Sequence, residues 1–293
     1  MSAYLNTSEA AAYLGLKERK LYELVANGEV PCSKVTGKWL FPRAALDRWV
    51  EAGLAHPQGF EPAHAPPIIG GSHDPLLEWA ARRSGSGLAL LSIGSEAGLH
   101  KLESNEIAIA CLHLHSMEEE DANLSTVRAA HRLHDAVVIA FARREEGLLL
   151  APGNPKALKS LGDAVEARAR FAMRQAGAGA QLLLLKLLAA QNLGLNDLKI
   201  SPLPFATGDD VAFAIRAGEV DCGIATKAVA SAYGLDFIPL AWEYFDLVMR
   251  RRTFFESGMQ AIVGLMRLDE FHRHAEMLGG LDTSSSGAVR LSR

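Results

Sequence analysis

From residue 88 onward, short apolar runs that read as strands alternate with stretches of helical periodicity, and no other feature constrains the fold as much. "LALLSIG" (88–94) leads into a helical stretch through Leu99, and "IAIACLHLH" (107–115) into one near "LSTVRAAHRL" (124–133). Then come "DAVVIAFARR" (135–144) and "GLLLAPG" (147–153), read as two further strands. A strand followed by a helix cannot fold back through a tight hairpin, so the helices become crossovers and the strands gather into one parallel or mixed sheet. The fold class is α/β.

The alternation does not reach the N-terminus. Residues 53–70, "GLAHPQGFEPAHAPPIIG", carry four prolines and little periodicity, which marks a boundary. We read residues 1–53 as one small domain, 54–66 as a linker and 67–293 as a larger domain whose second lobe spans about 146–240. A length of 293 residues suits two unequal domains of this kind.

Charge and cysteine usage narrow the class further. A formal net charge of −4 excludes a globally cationic nucleic-acid coat but leaves room for a local basic patch. Cys32, Cys111 and Cys222 lie far apart with no CxxC, as in a reducing compartment. The start, "MSAYLNTSEAAAYLG", lacks the basic and apolar blocks of a secretory signal, and "LLLLKLLAAQ" falls well short of the roughly 20 apolar residues a membrane span requires. The expectation is a cytoplasmic protein with no membrane partner.

In the first fifty residues, Asn6 or Thr7 can cap a helix with Glu9 completing a capping box, and Gly15 ends it. A second helix runs from about Lys17 to Ala26, with Gly28 closing it, so the two make a helix-turn-helix. "SKVTGKWLF" reads as a hairpin around Thr36 and Gly37, and "PRAALDRWV" as a third helix with Pro42 in its first turn. This order resembles the winged helix-turn-helix of the excisionase and mercury-regulator-like group over residues 4–51. The resemblance implies a second helix in the DNA major groove, presenting Lys17, Glu18, Arg19, Lys20 and Tyr22, and a wing reaching the backbone with Lys34, Thr36 and Lys38. Residues 1–53 hold seven basic side chains against six acidic ones, so one copy would grip phosphates weakly and a homodimer or higher homo-oligomer is expected.

Three stretches of the larger domain read as a strand opening into a helix through small residues: "GGSHDPLLEW" (70–79), "SIGSEAGL" (92–99) and "RQAGAGAQLL" (174–183). The first N–H groups of such a helix have no partner and carry the positive end of its dipole, so each turn can cradle an anion or a polar ligand. On opposite lobes, they could close on one molecule from both sides.

"GSHDPLLE", "IACLHLH", "MRQAGAGAQLLL", "GDDVAFAIRAGEVDCGIATKAVA", "LDFIPLAWEYFDLVM" and "LGGLDTSSSGAV" occur in this order. Together they resemble the periplasmic-binding-protein-like domain found in cytoplasmic one-component regulators and fused to molybdopterin-biosynthesis proteins, a LysR-type substrate-binding-like domain. The resemblance implies ligand contacts from Ser72, His73, Ser95 and His113 on one lobe, from Arg174, Gln175, Gly177 and Gly179 on the other, and from Tyr244 on the returning segment. Where the family shows Asn, Ser, Thr and Arg, this chain has Met173, Ala178, Ala180 and Gln181, which removes charge-assisted donors.

Plainer roles are open to several of these residues. Gly177 and Gly179 could simply allow close packing, and Arg174 could pair with Asp163 or Glu166. Asp209, Asp210 and Asp221 read as helix caps or solvent-facing charges. His113 and His115 alternate along a strand and so should face opposite sides. No GxSxG, HExxH or Walker sequence is present, and a metal at "HLH" would need further ligands from elsewhere, so no catalytic residue, metal or cofactor is expected. The expected function is a ligand-responsive one-component transcription regulator that binds double-stranded DNA and a small effector, a molybdate- or tungstate-type oxyanion or a small organic acid. An excisionase-like architectural protein is the alternative, and an enzyme fused to a DNA-binding domain the third reading.

Overall fold

Asn6 opens the first helix in the computed structural model, which describes residues 3–34, 37–52, 65–115 and 121–293. Its side chain accepts from the Glu9 N–H at 3.0 Å while the Glu9 carboxylate takes the Asn6 N–H at 2.8 Å. This reciprocal cap is worth about 1 kcal/mol to α1 (Thr7–Leu14). Gly15 ends the helix in the left-handed conformation, and α2 (Glu18–Ala26) follows. Tyr4–Leu5 (β1) pairs antiparallel with Phe41–Pro42 (β2), and α3 (Arg43–Ala52) begins directly after β2. Pro42 therefore precedes the third helix instead of lying in its first turn. Leu5, Ala10, Ala11, Leu21, Val30, Phe41 and Leu46 form the core of this unit, Met1–Glu61.

The second unit, Pro62–Arg293, is built on one mixed sheet. Its strands are β3 (Ile68–Gly71), β4 (Ala89–Ser92), β5 (Ile109–Leu112), β6 (Ala136–Leu150), β7 (Arg170–Ala172), β8 (Lys199–Ile200), β9 (Cys222–Thr226), β10 (Asp236–Arg250), β11 (Leu281–Asp282) and β12 (Val289–Ser292). The order is β4-β3-β5-β10-β6-β9-β7-β8, with β11 and β12 also paired to β6. Helices α4 (Pro75–Arg83), α5 (Ser95–Glu103), α6 (Ala122–Ala129), α7 (Leu161–Glu166), α8 (Gly179–Ala190), α9 (Gly208–Arg216), α10 (Lys227–Tyr233), α11 (Arg251–Phe254), α12 (Ser257–Met266) and α13 (Asp269–Leu278) accompany the sheet. β5 and β9 are buried along their whole length, which is why they appear in sequence as unbroken apolar runs.

The stretches 135–144 and 147–153, read from sequence as separate strands, share the single strand β6, which runs without a break from Ala136 to Leu150. Gly147, the first residue of the second stretch, lies within the strand and packs against the Phe237 ring and the Ile238 carbonyl. β6 and β10 run antiparallel along their full lengths, and they divide the domain into two lobes. Asp246–Met249 of β10 pairs with β5 in the first lobe, whereas Glu146–Leu150 of β6 pairs with β9 in the second. Each lobe has its own apolar clusters: Ile69, Leu77, Phe141, Phe245 and Phe271 belong to the first, and Leu148, Phe171, Leu184 and Ile224 to the second. The Ser-containing tail rejoins the first lobe, where Arg290 on β12 pairs with Asp121 and Asp246.

Candidate functional site

The turns after β4 and β7 face each other. Gly94 and Ala178, the residues that cap α5 and α8, give no side-chain cap to their helices, and both N-termini meet at the lobe junction. The Glu96 N–H reaches the Gly177 carbonyl at 3.4 Å. A Cβ on Gly94 would stand 3.2 Å from Gln175 Nε2, and one on Gly179 would collide with the His113 carbonyl and ring. Gly177 has φ +75°, and a side chain there would run into the Glu96 carboxylate. On the first lobe, Ser72 and Ser95 share a 2.8 Å hydroxyl contact, and Ser95 Oγ accepts from the His113 N–H at 3.0 Å. A second bridge between lobes joins His73 Nε2 to Asp209 Oδ2, 3.5 Å apart.

Beneath these turns lies a buried ionic cluster carried by the crossover strands. Arg144, 1% exposed, donates through Nε and Nη2 to Glu243 Oε1 at 2.9 and 2.5 Å, and through Nη1 to Asp74 Oδ2 at 2.9 Å. Asp74 is held by its second role, in which Oδ1 caps α4 through the Leu77 N–H. The other Glu243 oxygen contacts His113 Nδ1 at 2.9 Å and His115 Nε2 at 2.7 Å. Glu146 Oε1 lies 3.5 Å from Arg144 Nη2 and 3.8 Å from His113 Nδ1, while its Oε2 is buried without a hydrogen-bond partner.

Burial drives the proton equilibria here. It lowers His113 to about 4 against the attraction of Glu243, so the imidazole is neutral at pH 7. Desolvation, reinforced by the neighbouring Glu243 charge, raises Glu146 to about 8, so that carboxyl is largely protonated. Glu243 is also desolvated, but His113 and Arg144 hold it well below the ordinary carboxylate range. The result is an ionised Arg144–Glu243 pair with a neutral histidine and a protonated glutamate beside it.

Ser72, His73, Ser95, His113, Gln175, Gly177 and Gly179 all lie at or next to the lobe junction. Arg174 is committed to its own lobe, donating to the Phe205 and Ala206 carbonyls at 3.1 and 2.8 Å; it pairs with neither Asp163 nor Glu166. Tyr244 stands on the opposite face of β10 from the cluster, 37% exposed, with the Arg290 guanidinium 3.7 Å from its ring centroid. Glu243, its neighbour, is the member of "EYFD" that joins the cluster. His113 and His115 do not face opposite sides: β5 ends at Leu112, the alternation ends with it, and both imidazoles reach the same carboxylate. The donor atoms of His113, His115 and Glu243 lie within 4.8 Å of one another, so "HLH" does acquire a third potential metal ligand. Asp210 caps α9 with Thr207, Asp221 receives Arg170, and Asp209 reaches His73 across the junction.

Sequence reasoning missed Asp74, Arg144, Glu146 and Glu243. The available signal was ionisable residues interrupting otherwise apolar strands, as in "FARREEGLLL" and "LAWEYFDLVM".

In the first unit Lys17, Arg19, Lys20, Tyr22, Lys34 and Lys38 are all exposed. Arg19 and Lys20 each lie 3.5 Å from Glu23, and Lys34 Nζ sits 5.0 Å from the Trp39 ring centroid. Ser33 and Leu40, at the base of the expected wing, form an antiparallel bridge. Thr36 lies outside the described residues.

Residues 77–267 match the family described as a PBP superfamily domain, and residues 4–53 match a helix-turn-helix domain. Among curated proteins, the uncharacterized protein YvgK of Bacillus subtilis is 23% identical over 300 residues, 97% of this chain and 96% of its own. Among solved structures, PhnD1 of Prochlorococcus marinus in complex with methylphosphonate aligns with TM-score 0.53 and 12% identity, over 76% of this chain and 94% of its own. A hydrogen peroxide-bound cysteine-to-serine mutant of Corynebacterium glutamicum OxyR aligns with TM-score 0.50 and 13% identity, over 93% and 89% of the two chains. L-phospholactate-bound PEB3 aligns with TM-score 0.50 and 13% identity, over 73% and 98%.

Proposed function

Because the chain belongs to the PBP superfamily and carries a helix-turn-helix domain at its N-terminus, we propose that it is a one-component transcription regulator whose larger domain binds a small anion between its lobes. The observation that carries this reading is the pair of uncapped helix N-termini, α5 from one lobe and α8 from the other, directed at one junction. The positive ends of two helix dipoles, and the first-turn N–H groups other than those of Glu96 and Gln181, favour negative charge there, with the Ser72 hydroxyl beside them. Arg144 and Arg174 are already occupied by protein acceptors, so the anion would rest on backbone and hydroxyl donors. Such a set suits a compact anion such as molybdate, tungstate, a phosphonate or a small carboxylate. Relatives in shape that carry methylphosphonate and L-phospholactate support a ligand of this size.

Closure of the lobes on the ligand would alter the placement of two DNA-binding units in a homodimer, coupling effector and operator affinity reciprocally. A thermal-shift series over molybdate, tungstate, sulfate, phosphate, carboxylates and sulfonates tests the sensor. A ligand that binds only the folded state raises its melting temperature by mass action, and a flat response across the series rejects the anion reading. DNase footprinting of the promoter beside its own gene tests the other end. Arg19→Ala combined with Lys20→Ala should abolish protection and leave the thermal shift intact, whereas undiminished protection removes α2 from the interface.

A further inference from the structure

The "HLH" segment and the inward glutamate of β10 form a second constellation, distinct in chemistry from the helix N-termini. We propose that His113, His115 and Glu243 bind a zinc-class divalent cation at the lobe junction. Two imidazoles and a carboxylate are the donor set that zinc takes from protein, and catalytic-type sites leave further positions for another ligand or water. The rings of His113 and His115 are nearly perpendicular, at 85°, with centroids 6.3 Å apart, so two nitrogens converge on one carboxylate without stacking.

The spacing fits an ion after a small adjustment. His113 Nδ1 and His115 Nε2 lie 2.9 and 2.7 Å from Glu243 Oε2. Tetrahedral ligands at zinc distances stand roughly 3.4 Å from one another, so the two contacts must open by about 0.5 and 0.7 Å. Side-chain rotation supplies that, because His115 lies beyond the end of β5.

The surroundings orient the set as outer partners orient the ligands of metal sites. Arg144 grips Glu243 Oε1 through two nitrogens and so fixes the carboxylate, whose two oxygens stand 2.8 and 2.9 Å from His113 Nδ1 and whose Oε2 faces His115. Ser95 fixes the His113 backbone, with Oγ taking its N–H and lying 3.2 Å from its carbonyl. Charge also favours a cation. Asp74 and Glu243 are buried against one directly bonded guanidinium with the Glu146 carboxyl group beside them, so acidic groups outnumber the basic one. Glu146 adds an independent pointer: a carboxyl group 2% exposed whose Oε2 has no hydrogen-bond partner, and whose Oε1 lies 3.8 Å from His113 Nδ1. It is placed to supply a fourth ligand or to hold the water that completes the shell.

The test uses full-length protein stripped with a chelator and dialysed free of it. Calorimetric titration with Zn²⁺ should give about one tight equivalent per chain, and Co²⁺ should give the intense visible bands of a tetrahedral site. His115→Ala should weaken Zn²⁺ by at least about a hundredfold and abolish the Co²⁺ bands, because a three-ligand protein site loses a full donor. Glu243→Gln should do the same. Circular dichroism accompanies both variants, and should Glu243→Gln fail to fold, His115→Ala carries the decision alone. Absence of tight Zn²⁺ binding to the wild-type chain overturns the proposal, as does a folded His115→Ala protein with unchanged stoichiometry, affinity and Co²⁺ spectrum. The anion thermal-shift series reads a different set of donors, so its outcome does not decide this one.

Discussion

Replacing Arg144 by methionine isolates the energetics of the crossover cluster. The guanidinium satisfies Glu243 through two hydrogen bonds and Asp74 through one, and all three side chains are at most 5% exposed. Methionine keeps much of the volume and removes the charge, leaving two buried carboxylates without their counter-ion. Deleting one member of a buried ion pair costs about 3–5 kcal/mol, and the penalty should depend on pH. Desolvation is the largest influence on Glu243 and is opposed by His113 and Arg144, so without Arg144 the folded-state affinity of Glu243 for a proton rises. A group shifted upward contributes stability that is full below its unfolded pKa and lost as pH rises through its folded pKa. The penalty of Arg144→Met should therefore be small at pH 5 and grow toward pH 8, by up to about 1.4 kcal/mol per pH unit for each group titrating across that window. Urea unfolding of the metal-free full chain at pH 5 and pH 8, compared with wild type at each pH, measures this directly. Adding Glu243→Gln to Arg144→Met should recover part of the loss at pH 8. A penalty below about 1 kcal/mol that is equal at both pH values would refute the assignment of Arg144 as the counter-ion of the cluster.

Gly177→Ala should destabilise the larger domain by about 1–2 kcal/mol in the same urea assay, since φ +75° disfavours any Cβ and Glu96 occupies its space; an unchanged midpoint would mean that the α5–α8 contact is loose. Burial raises Asp246 to about 6 despite Arg290, so its protonation favours the folded state below that pH and the benefit disappears as pH rises through 6. Melting curves at pH 5 and 7.5 should therefore show a decline in wild type that Asp246→Asn reduces, and parallel declines in the two proteins would contradict the shift.

How much of this was legible in the sequence depends on the range over which each feature is determined. The Asn6–Glu9 cap is local, written in residues three apart, and the same holds for the Gly15 stop and for Thr207 with Asp210 at the start of α9. The α/β class followed from alternating patterns of a few residues each. The two small-residue turns were visible for the same reason, and the fold brings them face to face. The ionic cluster is of another kind. Arg144 lies 70 residues from Asp74 and 99 from Glu243, and nothing near any of them in sequence names a partner.

Their meeting is decided by strand register. Glu243 stands opposite Arg144 on β6, and Tyr244 opposite Arg143, on the other face. Shifting a strand by one residue exchanges its two faces, so sequence inspection that selected Tyr244 from "EYFD" was displaced by one position and thereby crossed the sheet. The pairing of β6 with β10 also carries register irregularities between Pro239 and Ala241 and between Phe245 and Asp246. The first leaves Leu240 extra on β10 and the second leaves Phe141 extra on β6, so alternation counted from the start of β10 loses phase before it reaches Glu243. The error at His113 and His115 has the same origin, because a period of two holds only while the chain remains a strand, and β5 ends one residue before His113. The residues hidden from the sequence are those whose direction depends on where a strand stops or slips, and both crossover irregularities flank the position where the lobes and their charges meet.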